Sequence, residues 1–98
     1  MQTVSEMSSR TTREVERIKH HAATAQKAIE WLFAEKFEPM EILVQQERRA
    51  PIIRIALSPR CEWLKKEFIA FKHEITATHV TWRANVMGVR VQWVEKGN

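Results

Sequence analysis

The stretch from His79 to Lys96 constrains this chain most, because apolar and polar residues alternate strictly on either side of Met87-Gly88. Successive side chains on a strand point to opposite faces. A two-residue turn at Met87-Gly88 therefore sets Val86 against Val89, Ala84 against Val91 and Trp82 against Trp93. One face of the hairpin is then apolar, with Val80, Trp82, Ala84, Val86, Val89, Val91 and Trp93. The other carries His79, Thr81, Arg83, Asn85, Arg90, Gln92 and Lys96, and Val94 is the sizeable apolar residue in its interior. A sheet patterned in this way needs a layer over one side only.

The preceding segments supply that layer. Residues 1–10 are polar and without periodicity, and are expected to form a flexible N-terminal segment ahead of one domain over 11–98. Thr11 and Glu14 have the capping-box spacing, and Val15, Ile18, Ala22, Ala25, Ile29 and Leu32 follow at steps of three and four. This predicts an amphipathic helix that Pro39 ends near Lys36. Alanines in the middle of the stripe imply that something approaches closely near Ala22 and Ala25.

Met40 to Glu47 and Ile52 to Ser58 alternate about a charged turn. They predict a second hairpin with Val44 beside Ile53, Ile42 beside Ile55 and Met40 beside Leu57. Ser58-Pro59 has the form of an N-cap followed by the first helical residue, and Cys61, Leu64, Phe68, Phe71 and Ile75 extend the helical spacing to Ile75. The order helix, hairpin, helix, hairpin predicts an α+β fold. It would be a two-layer sandwich, with a four-stranded antiparallel sheet of two hairpins and both helices on one face.

With 98 residues, 44% of them hydrophobic and 29% charged, the chain is one folded domain without a biased tract. Its formal charge of +4 permits an acidic partner. Cys61 is the lone cysteine, which excludes an internal disulfide and fits a reducing compartment. Met1 to Arg13 has no apolar run resembling a signal sequence, and no stretch suits a membrane span, so a soluble, cytoplasmic protein is expected.

The sharpest functional feature is the polar sheet face. Arg83 and Arg90 project together there, Arg54 joins them from the first hairpin, and Asn85 and Gln92 add neutral donors and acceptors. A guanidinium presents a planar fork of donors to phosphate oxygens. The turn residues Arg48 and Arg49 offer a second basic element. The first expectation is thus a non-catalytic nucleic-acid-binding protein, for DNA or RNA. An ordinary solvated sheet face has the same composition, and Trp82 and Trp93 fall on the core side, away from any base.

A reading from a different class uses the apolar exceptions. Leu43 and Ile52 lie on the nominal outer face of the first hairpin, and Trp31 and Trp63 on the flanks of their helical stripes. Such residues suit a small adaptor or inhibitor that binds a protein partner or forms a homodimer, in the manner of phage or mobile-element accessory proteins. His20 and His21, with Glu16 one turn earlier, fall short of a zinc ligand set, and Cys61 starts an apolar stripe. With no glycine-rich phosphate loop, nucleophile elbow or acid pair, no metal, cofactor, small-molecule substrate or enzymatic activity is expected.

Overall fold

The computed structural model describes residues 2–44 and 49–97, with side chains from residue 12 onward. It is an α+β fold. Helix α1 (Gln2–Ala34) precedes strands β1 (Pro39–Leu43) and β2 (Ile52–Ile55), and helix α2 (Cys61–Glu67) precedes β3 (Phe71–Ile75), β4 (His79–Val86) and β5 (Val89–Lys96). The strands form a five-stranded sheet in the order β1-β2-β5-β4-β3.

The β4–β5 hairpin has the register that alternation dictates, with Val86 opposite Val89, Ala84 opposite Val91 and Trp82 opposite Trp93. Met87 (φ 51) and Gly88 (φ 81) both adopt the left-handed conformation that a two-residue turn requires. A side chain on Gly88 would begin only 3.2 Å from Thr24 Cγ2, so the bare tip can close against α1. Ala25 and Ala28 are buried just beyond this contact, whereas Ala22 is exposed. Together with Leu32, Phe37, Cys61 and Leu64, these alanines cover Ile53, Ile55, Ala84, Val86, Val89, Val91 and Trp93.

The sheet differs from the four-stranded antiparallel arrangement expected from sequence. β2 pairs with β5 in parallel, with Ile53 opposite Val91 and Arg54 opposite Gln92. The additional strand is β3, which sequence spacing assigns to a helix. α2 stops at Glu67: Ile69 turns left-handed (φ 49), and the Ala70 N–H donates to the Lys65 carbonyl at 3.0 Å. This is the six-residue closure that normally places glycine at the left-handed position.

α1 ends the same way. Lys36 has φ 67, the Phe37 N–H donates to the Leu32 carbonyl at 2.8 Å, and the Lys36 N–H donates to the Phe33 carbonyl at 2.9 Å. Neither end is marked by glycine, so the spacing of Phe68, Phe71 and Ile75 runs past the physical end of α2. Ser58 and Pro59 also differ from expectation. The Ser58 carbonyl accepts from the Cys61 N–H at 3.0 Å in a turn, and Arg60 is the N-cap residue, without a capping side chain.

β1 and β2 are offset by two residues from the expected register, with Glu41 opposite Arg54, Ile42 opposite Ile53 and Leu43 opposite Ile52. A two-residue offset leaves every side chain on its expected face. Part of the expected turn, residues 45–48 with Arg48, lies outside the described residues. Both edge strands carry an irregularity, between Pro39 and Glu41 on β1 and between Lys72 and Glu74 on β3, a device that discourages edge-to-edge pairing.

α1 runs through Thr11 rather than starting there, so the expected capping box does not begin the helix and residues 2–10 belong to it. Its 33 residues extend about 50 Å. The molecule's longest dimension is 60 Å and its radius of gyration 16.7 Å, against about 13 Å for a compact chain of this length. Residues 12–20 are all exposed, and Ala25 is the first buried residue among those described. The sheet thus supports only the C-terminal third of α1.

Two stability predictions follow from this geometry. Leu32→Ala should cost about 2–5 kcal/mol in urea unfolding, whereas Ile18→Ala, at a position 56% exposed, should stay within about 0.5 kcal/mol; equal costs would mean that the outer part of α1 is packed. Ile69, 84% exposed, keeps a β-branched side chain in a left-handed position. Ile69→Gly should therefore stabilise the protein by about 0.5 kcal/mol or more, and a loss would reveal a packing role for the side chain.

Candidate nucleic-acid interface

With α1 and α2 on the same side, no helix among the described residues covers the opposite face of the sheet, although Ile52 at the start of β2 is buried there. Register places its side chains in rows. One row runs Glu41, Arg54, Gln92, Arg83, Phe71 across all five strands. The next runs Leu43, Ile52, Arg90, Asn85. Beyond the first row on the other side, Val94, Thr81 and Glu74 stand side by side.

Strand spacing fixes these neighbours at about 4.8 Å intervals along each row. The basic groups thus occupy the middle of the sheet, where both neighbouring strands hold the backbone, and the acidic groups lie on β1 and β3 at its edges.

The three arginines differ in their surroundings. The Arg54 Nη1 donates to Glu41 Oε2 at 2.5 Å, an ion pair in which both side chains remain nearly half exposed, a setting worth at most about 1 kcal/mol. The Arg83 Nε donates to Gln92 Oε1 at 2.8 Å, so a neutral amide orients the guanidinium and does not compensate its charge. Partial burial, and then the like charge of Arg90, push the Arg83 pKa down from its ordinary value. Among the described residues, no carboxylate lies within ion-pair distance of Arg83 or Arg90. Asn85 and Arg90 face each other in register, both exposed.

The residues expected from sequence to form the basic face, Arg54, Arg83, Asn85, Arg90 and Gln92, therefore share one uncovered surface. Arg49 is exposed at the start of the segment leading into β2, and Arg48 lies outside the described residues. The apolar positions Trp31, Leu43, Ile52 and Trp63 fall into two pairs on opposite sides of the sheet. Leu43 and Ile52 sit on the outer face of β1 and β2, where Ile52 is only 4% exposed. Trp31 and Trp63 stack at 6.2 Å in the helical layer with Phe37 and Phe68 around them, and the Arg60 guanidinium lies 4.9 Å from the Trp63 ring.

Sequence reading misses Phe71 as a surface group because the helical spacing assigns it to a core stripe. In β3 it stands opposite Arg83, on the uncovered face. The usual signal of the change, a glycine at the end of α2, is absent, since isoleucine occupies that position. Elsewhere, burial pushes the Cys61 thiol pKa up, which keeps it protonated and poorly nucleophilic at neutral pH. Among the described residues no group of three or more His, Cys, Asp or Glu side chains is placed to hold a metal ion, and no helix is long and apolar enough to cross a membrane.

No family model matches the chain, and neither does any curated protein or solved structure.

The geometry of Arg83 and Arg90 carries its own consequence for stability. They are diagonal neighbours on adjacent strands, at about 7–8 Å, where like charges repel. Arg90→Gln should therefore raise the unfolding free energy at low salt by about 0.2–1 kcal/mol, and the gain should shrink as salt screens the pair. A salt-independent loss of stability would show instead that the Arg90 side chain contributes chiefly through packing.

Proposed function

We propose that this protein is a non-catalytic nucleic-acid-binding protein that lays its uncovered sheet face along a phosphate backbone. The observation that carries this reading is the arrangement of Arg83 and Arg90. Arg83 is half-buried, oriented by Gln92, and set beside a second guanidinium without a carboxylate among the described residues. Holding two such charges together costs stability in the free protein, and an anion bridging them would recover that cost. Phosphates spaced along a chain provide such anions.

Arg54, paired with Glu41 in the free protein, continues the basic row onto β2, Arg49 is exposed in the segment leading into β2, and Asn85 and Gln92 supply neutral groups for sugars or base edges. The adaptor reading has less support, because its four apolar residues are divided between opposite sides of the sheet and Ile52 is buried. A reducing compartment such as the cytoplasm suits the free, buried Cys61.

Fluorescence anisotropy with labelled DNA and RNA, titrated at low and physiological salt, tests the reading. Micromolar binding is expected, with log affinity falling against log salt at a slope of about −3 if four phosphates of a single strand are contacted. Arg83→Glu combined with Arg90→Glu should weaken binding at least about tenfold while leaving the circular dichroism spectrum unchanged. A change below about twofold, or no binding at low salt, would overturn the proposal.

A further inference from the structure

Phe71 gives the basic face a feature that phosphate contacts do not require. Phe71 is 43% exposed, and it belongs neither to the buried core nor to the partly buried residues packed against the core. It stands directly opposite Arg83 on the uncovered face, in the row that continues through Gln92 to Arg54. An aromatic ring at the edge of an otherwise polar row gains little from burial, but it offers a flat surface to another ring. The adjoining guanidinium offers both a second planar surface and a charge.

We propose that the ligand of this face is a single-stranded nucleic acid, with one unpaired base stacked on Phe71 and the adjoining phosphates on Arg83, Arg90 and Arg54. This inference rests on the nucleic-acid reading and specifies its substrate class. A base inside a duplex has both π-faces covered by its neighbours, and proteins read a duplex by inserting a helix or ribbon into a groove. A ring on a sheet surface reaches such a base only by wedging between stacked pairs and kinking the duplex, which costs about a few kcal/mol per step. An unpaired strand presents its base faces freely, and stacking on an aromatic side chain tolerates any sequence.

The dimensions suit a short stretch of strand. From Phe71 on β3 to Arg54 on β2 the row crosses three strand spacings, about 14 Å, and sheet platforms of this width hold about two or three bases. The polar groups along the row are arranged for the same ligand. Gln92 Oε1 is occupied by Arg83, which leaves the amide nitrogen to donate, and Asn85 is exposed in the neighbouring row with an amide that can donate and accept. Glu74 beside Thr81 and Glu41 at the far edge bound the basic track, which confines a polyanion to the middle of the face.

The test compares oligodeoxythymidylate, oligouridylate and a DNA duplex of equal length, with four proteins: the native chain, Phe71→Ala, Phe71→Leu and Phe71→Tyr. Single strands should bind more tightly than duplex. Phe71→Ala and Phe71→Leu should weaken single-strand binding about fivefold or more, with the salt slope unchanged because no phosphate contact is removed, and Phe71→Tyr should bind like the native chain. Phe71→Leu guards against misfolding of the alanine variant, since it keeps an apolar side chain in place. Duplex binding as tight as single-strand binding, or affinities of both variants within about twofold of native, would overturn this inference. In that event, a loss of binding on reversing Arg83 and Arg90 would still uphold the broader reading. Failure of every probe to bind the native chain would overturn both.

Discussion

β5 is hydrogen-bonded on both flanks, by β2 in parallel and by β4 antiparallel, and the burial of Val89, Val91 and Trp93 beneath the helices depends on that double pairing. The same pairing turns Arg90, Gln92 and Val94 outward without choice, because side chains alternate along a strand. Two helices suffice to cover one face of a small sheet. Once the apolar residues of β5 fix which face that is, its polar residues lie on the face opposite the two helices. The basic face is thus a geometric consequence of the core.

Contacts with the helical layer reinforce this. Gly88 lets the hairpin tip approach Thr24, and the small Ala25 and Ala28 lie just beyond it on α1. Larger residues at these positions would lift the helix away from β4 and β5. N-terminal to Thr24 the helix has no sheet to rest on, and Ile18 and Val15 remain exposed despite their place in the apolar spacing. A helical stripe in sequence therefore specifies which face would be buried, but the length of the sheet decides how much of that face is buried.

The period-two pattern made the β4–β5 register and the grouping of Arg83, Asn85, Arg90 and Gln92 readable from sequence, because a two-residue turn fixes parity on both sides. Three things were not readable, for physical reasons. The left-handed ends of α1 and α2 are filled by Lys36 and Ile69, so no glycine marks them. Phe71 and Ile75 continue the spacing of α2 by coincidence, which concealed β3 and, with it, a ring on the face opposite the helices. The parallel pairing of β2 with β5 joins residues separated by α2, β3 and β4, and no local pattern specifies it. The β1–β2 offset of two did less harm, since it left Arg54 and Glu41 on their expected side.

The two sides of the sheet treat positive charge differently, and that contrast bears on function. On the helical side, Lys65 lies 4.3 Å from the Trp82 ring and pairs with both Glu62 and Glu95 at 2.8 Å. Burial opposes its charge there, but hydrogen bonds and charge interactions with the two carboxylates outweigh that and raise its pKa. Here a partly buried cation is compensated in the way a stable fold requires. On the open side, Arg83 is also partly buried, yet its neighbours are an amide and another guanidinium, and its pKa moves down. A carboxylate at position 85 or 92 would relieve that repulsion at the level of the fold. Asparagine and glutamine there keep the hydrogen-bonding capacity and leave the charge without a compensating carboxylate among the described residues, which is a cost to folding.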